Sequence, residues 1–288
     1  MATRPRESRS PAAGTDGHDA VLRFDRVSVV FQDVTALENV SFEIFAGETR
    51  VILGAAGSGK SVLLKTAIGL VKPASGRVYV FGEDITDRKE EELFDIRSKV
   101  GVLFQEGGLF DSLNIEENVA YPIVNRRTEK VDPDDARGRV EESLRIVELD
   151  HTLDKFPSQL SGGMRRRVGI ARANVSEPPL VLYDSPTAGL DPITANSIIT
   201  FIIKERDLEN TTNVIVTHRY QDGHLLANFR YNPQSSGLEP VSRDGGRPAL
   251  RTTFMVLNEG RLAFQGSQRE LASSTDSYVR NFYRTLKE

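Results

Sequence analysis

The chain contains no cysteine. Disulfide frameworks and thiolate metal sites are thereby excluded, and the composition fits a reducing compartment. No apolar run approaches the roughly 18 residues needed to span a bilayer. Residues 1–20 hold no apolar core of a secretory leader and are instead rich in Arg, Ser, Pro and Gly, the composition of a disordered tail. A cytosolic chain is expected, with any membrane role supplied through a partner. An excess of charge of either sign is also lacking. Across 288 residues, 37 Lys and Arg stand against 41 Asp and Glu, a net charge of −4. That balance gives no global electrostatic case for a nucleic-acid partner.

What is present is a phosphate-binding pattern. Gly54-Ala55-Ala56-Gly57-Ser58-Gly59-Lys60-Ser61 fits G-x-x-x-x-G-K-[ST]. An apolar run, Arg50 to Leu53, precedes it and reads as a buried strand; the stretch Ser61 to Ile68, beginning Ser61-Val62, reads as a helix. Strand, glycine loop and helix in that order distinguish a phosphate loop from a chance glycine turn. Glycines let the backbone wrap a phosphate without Cβ clashes, and the helix N-terminus adds positive partial charge. Residues Gly54 to Val62 are therefore the first nucleotide-binding candidates. Lys60 is expected to reach the β- and γ-phosphates of ATP, and the Ser61 hydroxyl to ligate Mg²⁺.

Four further segments carry candidate chemistry. Leu180 to Asp184 is an apolar strand ending in a carboxylate, which can hold a Mg²⁺ shell. Gly189-Leu190-Asp191-Pro192 reads as a helix start, with Asp191 as N-cap and Pro192 at the first helical position. Gln105 follows the strand Val100 to Phe104, and His218 follows the strand Asn213 to Thr217. Leu160-Ser161-Gly162-Gly163-Met164 opens a helix expected to run from Gly162 to Val175, where an N-cap serine and two glycines leave several backbone N–H groups free. For Arg165-Arg166-Arg167 behind it, a solvated helix face is expected of at least one. Phe31 is either an aromatic that stacks on adenine or an ordinary core phenylalanine.

The phosphate loop and the Leu-Ser-Gly-Gly segment, in that order, resemble the ATP-binding-cassette (ABC) ATPases over about Val21 to Gly266. The resemblance implies a fold class: an α/β P-loop NTPase with a mostly parallel core sheet, a small antiparallel β-subdomain and an α-helical signature subdomain. It also implies roles. Asp184 is the Walker B aspartate. Gln105 is the Q-loop glutamine, a Mg²⁺ ligand that reports the γ-phosphate to the transport partner, and His218 is the switch histidine. Asp191 belongs to the D-loop that crosses the dimer interface. Ser161, Gly162 and Gly163 cap a nucleotide held by a second cassette subunit, so a homodimer is implied.

The strand-like runs Ala20–Phe24, Val27–Phe31 and Val40–Phe45 are expected to form the small antiparallel sheet, with Gly76–Phe81 a further strand and Glu90–Ser98 a short charged helix. The cassette is expected over 21–266, with its helical subdomain over about 112–175, including a helix from Pro133 to Glu148. A helix is expected from Pro192 to Arg206. Residues 228–251 depart from the compact family pattern and read as an inserted loop or irregular hairpin. A hairpin of Thr253–Asn258 and Arg261–Gln265 follows, and 267–288 should be helical, with Val279, Phe282, Tyr283 and Leu286 in one apolar stripe packed on its own domain.

One cassette and no heptad run disfavour the tandem soluble translation-type members and the chromosome or repair ATPases. The energy subunit of a transporter remains, held at the cytoplasmic face by an integral membrane permease. Leu103-Phe104-Gln105, Gly108 to Asn114 and Glu117 to Pro122 look most like the ATPases of Mla-type lipid transporters, which work with a permease and an MCE-type substrate-binding protein. The alternatives are another transporter class or a soluble regulatory cassette that binds ATP with little turnover. One position breaks the family pattern. After Asp184, where the family carries a catalytic glutamate, this chain has Ser185. A serine hydroxyl is no general base near neutral pH. Either positioning by Gln105, His218, Mg²⁺ and the partner's signature sustains slow turnover, or Glu106 supplies a carboxylate.

Overall fold

The computed structural model describes residues 20–105, 107–126, 131–241 and 251–284. The chain opens with a long antiparallel pair, β1 (Ala20–Phe31) and β2 (Val34–Phe45). The two strands expected at Ala20–Phe24 and Val27–Phe31 are thus one. Phe24 and Val27 are both buried although three residues apart. A bulge around Arg26, at φ 49°, restores the in–out alternation between them. The second strand likewise begins at Val34, earlier than the expected Val40.

The nucleotide-loop unit follows: β3 (Thr49–Leu53), α1 (Lys60–Ala67), β4 (Ser75–Val80) and the short β5 (Glu83–Asp84). Glu90–Ser98 is not one helix but a 3-10 turn at Glu90–Glu92 followed by α2 (Phe94–Arg97). After β6 (Val100–Leu103) come three helices, α3 (Ile115–Val124), α4 (Pro133–Ile146) and α5 (Gly162–Asn174). Then β7 (Leu180–Asp184), α6 (Pro192–Glu209) and β8 (Thr212–Val216) return to the sheet. Helix α6 runs three residues past the expected Arg206 and stops where Asn210 turns left-handed at φ 54°.

The segment expected as an insertion begins within α7 (Tyr220–Asn228) and forms a regular hairpin, β9 (Phe229–Asn232) and β10 (Gly237–Pro240). Asp207 accepts a hydrogen bond from the Tyr231 N–H at 2.8 Å, and Arg206 donates to the Phe229 carbonyl at 2.9 Å. These contacts seat the hairpin on α6. Residues 242–250 lie outside the described residues, as do the expected tail except Ala20, Glu106 and Leu286. The chain ends in β11 (Thr252–Asn258), β12 (Arg261–Gly266), α8 (Gln268–Ala272) and α9 (Ser277–Arg284). Val279 is fully buried, and Phe282 and Tyr283 pack on the same core, so this stripe faces its own domain.

The architecture is α/β. A six-stranded sheet of order β12-β11-β3-β8-β7-β6 is parallel except for β12, and a four-stranded antiparallel sheet has order β2-β1-β4-β5. Every residue of β3, β7 and β8 is buried, as expected for strands covered on both faces. Alternate side chains feed two cores. Val51, Val181 and Tyr183 join the helical layer of α3 to α7, whereas Ile52, Leu180 and Leu182 join α1 and the antiparallel sheet. Among the described residues no helix is long and apolar enough to cross a membrane.

Candidate nucleotide site

Four neighbouring strands end together at one edge of the large sheet. Ile52 and Asp184 both pair with Val216, and Leu103 pairs with Tyr183. Just past these ends come Gly54, Thr217-His218, Ser185 and Phe104-Gln105. The carboxyl edge of parallel strands is where open α/β sheets bind ligands. Topology therefore gathers the loop 54–61, Gln105, Asp184, Ser185 and His218, which are far apart in sequence.

Within the loop, Gly57 and Gly59 have φ 77° and 99°. A Cβ on Gly59 would lie 2.5 Å from the Ala36 carbonyl oxygen of β2, so the close approach of the loop to the small sheet requires glycine there. Lys60 opens α1, with Ser61 and Val62 behind it in the first turn, and no side chain caps that helix end. The Lys60 ammonium donates to the carbonyls of Gly54 and Ala55 at 2.8 and 2.7 Å and to the Ser58 hydroxyl at 3.3 Å. Burial pulls its pKa below the ordinary lysine value, and the charge of Asp184 opposes that fall. Uncapped helix N–H groups, left-handed glycines and a fixed ammonium fit a polyphosphate. The buried Asp184 carboxylate, with the Ser61 hydroxyl and the Gln105 amide as neutral oxygen donors, suits a hard divalent cation.

Ser185 sits in a left-handed turn at φ 55°. Its hydroxyl donates to Asp184 Oδ1 at 3.1 Å and its N–H to the Val216 carbonyl at 2.8 Å. Gln105 and His218 are exposed past their strand ends. Two buried side chains hold the segment after Gln105. Arg172 of α5 donates to the Gly107 and Gly108 carbonyls at 3.0 and 2.9 Å, and the fully buried Asn118 bonds the backbone of Phe110.

Phe31 is 47% exposed at the end of β1, which removes the reading of it as core. It pairs with Val34, two residues before Ala36, whose carbonyl abuts Gly59. The signature residues are not on the strand edge. Ser161 caps α5, accepting from the Met164 N–H at 3.2 Å; Ser161 and Gly162 are exposed, and Gly163 packs against Leu190. The solvated-face reading fails for all three following arginines. Arg165 donates to the Leu160 carbonyl, Arg166 to that of Ala188 and Arg167 to that of Val147. Asp191 is the N-cap of α6, accepting from the N–H groups of Ile193 and Thr194 at 3.1 and 3.0 Å.

One neighbour of the loop had no sequence signal. The Tyr278 hydroxyl of α9 accepts from the Ala55 N–H at 3.1 Å and donates to the Leu257 carbonyl at 3.1 Å. No local pattern distinguishes this tyrosine from Tyr283 on the same helix. Tyr278→Phe removes both bonds and leaves the Ala55 N–H without this acceptor. A loss of about 1 kcal/mol is expected, lowering Tm by roughly 2–4 °C. Thermal melts decide this; a variant melting with the parent would show that water replaces the hydroxyl without cost.

Comparison with known proteins bears on this arrangement. The family described as "ABC transporter" matches residues 37–188. The "Probable ribonucleotide transport ATP-binding protein mkl" of Mycobacterium leprae is 37% identical over 243 residues, covering 83% of this chain and 69% of the relative. The "Methionine import ATP-binding protein MetN" of Geobacillus kaustophilus is 39% identical over 202 residues, covering 69% of this chain and 58% of the relative. A solved dimeric ATP-binding cassette in a post-hydrolysis state, bound to ADP and Pi, superposes with a TM-score of 0.73 at 30% identity, covering 85% of this chain and 98% of the other.

Proposed function

The chain belongs to the ABC transporter family and is an ATPase of that family, and from this premise we propose that it is the energy subunit of a lipid transporter, working as a pair of cassettes. The observation that carries the pairing is the division of the site. The sheet edge presents the loop, Asp184, Ser185, Gln105 and His218, whereas Ser161, Gly162 and Gly163 lie at the exposed end of α5 with free N–H groups. A second copy, oriented head to tail, would bring its α5 N-terminus to the γ-phosphate, with Asp191 at the junction.

In this reading the loop N–H groups and Lys60 bind the β- and γ-phosphates, and Phe31 stacks on adenine. Ser61, Gln105 and Asp184 would hold Mg²⁺, which when bound neutralises charge on the phosphates. His218 orients the γ-phosphate, and Ser185 can hydrogen-bond the attacking water but not deprotonate it.

Partner and cargo rest on other residues. A cleft of about 430 Å³ lies beside β6, the strand leading to Gln105, with Phe94, Tyr121, Pro122 and Arg172 in its wall. Its position suits an element of an integral membrane permease that senses the Gln105 segment. The lipid assignment rests on the likeness of 103–105, 108–114 and 117–122 to Mla-type ATPases, which also names an MCE-type protein as partner. The similarity to MetN favours a second reading, the ATPase of a different importer.

Two measurements test this. The isolated protein is expected to dimerise with ATP and Mg²⁺ and to remain largely monomeric without them, read by light scattering. Purification from native membranes is expected to recover a permease together with an MCE-domain protein. Recovery of a permease with an amino-acid-binding protein would support the importer reading. A monomer that ignores ATP would overturn the paired site.

A further inference from the structure

We propose that Asp222 is a positioning residue for hydrolysis, its carboxylate clasping the turn that carries Ser185 to the strand end that carries His218. Asp222 lies in the first turn of α7 and is 2% exposed. One oxygen, Oδ2, accepts from the Thr187 hydroxyl at 2.5 Å and from the Thr217 hydroxyl at 2.9 Å. Both threonines are 1% exposed. Thr187 stands two residues after Ser185, and Thr217 immediately precedes His218. The Thr217 hydroxyl also accepts from the Arg219 N–H at 3.0 Å, and the Arg219 guanidinium lies 3.9 Å from Asp222 Oδ1.

The clasp begins where the sheet stops. The last ladder pair between β7 and β8 is Asp184 with Val216. Past it, the backbone contributes the Ser185 N–H to Val216 bond and a Thr217 N–H to Ile52 carbonyl bond at 3.1 Å. The side-chain bonds to Asp222 then fix the two departing segments relative to each other. A carboxylate buried this deeply is costly unless hydrogen-bonded. Burial pushes the pKa of Asp222 up, and the hydrogen bonds from Thr187 and Thr217 counter part of that rise.

The clasp matters more here than where a carboxylate follows the Walker B aspartate. Without that base, turnover depends on placing groups around the γ-phosphate, and a misplacement of about 1 Å can cost about 10²-fold. The inference rests on the proposed reading that Ser185 and His218 face that phosphate.

The test is steady-state hydrolysis of radiolabelled MgATP by the full chain. Asp222→Asn and Thr187→Val are expected to lower kcat by about tenfold or more while KM moves less than about twofold. Thr187→Ser, which restores the hydroxyl and loses the methyl, is expected to recover most of that loss. A residue that merely packs would show the opposite order, with the isosteric valine harmless and serine harmful. That order, or an unchanged kcat in Thr187→Val, overturns the clasp.

A double-mutant cycle with His218→Ala separates the inference from the reading beneath it. Asp222→Asn is expected to add less than about twofold in the His218→Ala background. Fully additive losses overturn an action through His218. If His218→Ala alone leaves kcat unchanged, the switch assignment fails instead, and the valine–serine contrast at Thr187 still decides the clasp through the Ser185 turn. Should Asp222→Asn fail to fold, Thr187→Val, which keeps the shape of the buried site, carries the cycle.

Discussion

Ser185→Glu is expected to raise kcat for ATP hydrolysis by about 10²–10⁴-fold, the usual contribution of a positioned base. The parent should bind ATP well, turn over slowly and persist as a closed dimer. The geometry makes the substitution well posed. Ser185 already occupies a left-handed turn at φ 55° with a Cβ in place, so glutamate adds no new class of backbone strain. The N–H bond to the Val216 carbonyl is a backbone interaction and survives. What changes is the side chain. The hydroxyl that donates to Asp184 is replaced by a longer group that can accept a proton from water. ATP affinity should hardly move, because the phosphate contacts belong to other residues. Rapid turnover in the parent, with a lower kcat in Ser185→Glu, would show that another group activates water. Glu106→Gln would then be informative, and an unchanged rate there would leave Gln105 and His218.

Lys60→Ala is expected to weaken ATP binding by about 30- to 4,000-fold, because removing one partner of a charge-assisted contact costs about 2–5 kcal/mol. In the structure the ammonium is held by the Gly54 and Ala55 carbonyls and the Ser58 hydroxyl. Its truncation therefore also removes a donor from three loop acceptors, of which the Ala55 carbonyl keeps the Ser58 N–H. Half-burial makes the charge more effective than in bulk water, since fewer waters screen it. Titration calorimetry on the folded variant decides the matter: an affinity equal to the parent's would remove Lys60 from the phosphate site. The dependence of dimerisation on ATP should disappear in the same variant.

Much of the proposed site was legible because its motifs are local. A phosphate loop needs its glycines and lysine at fixed spacing beside a strand and a helix. Asp191 could be read as an N-cap because capping is decided within four residues. Strand limits were less legible. The expected strands Ala20–Phe24 and Val27–Phe31 leave out Asp25 and Arg26, whereas pairing with β2 and β4 carries one strand through them with a bulge. At least one of the arginines 165–167 was expected on a solvated face, yet each reaches a backbone carbonyl, two of them 22 and 20 residues away. Such partners are supplied by packing, which no helical period encodes.

By itself the sequence determined which groups are available to the proposed site: a glycine-rich loop with its lysine, a carboxylate at a strand end, a helix-capping serine beside two glycines, and Ser185 after Asp184. Residue identity and short-range spacing decide those features, and both are written in the chain. Only the tertiary structure decided how they are assembled. Parallel order places four strand ends at one edge, β2 lies close enough to require glycine at 59, and Tyr278 reaches Ala55 across 223 residues. The pairing of Thr187 and Thr217 on one oxygen of Asp222 is of the same kind. Contacts of that range arise from burial and chain crossing, and a buried hydroxyl takes whichever acceptor the fold delivers.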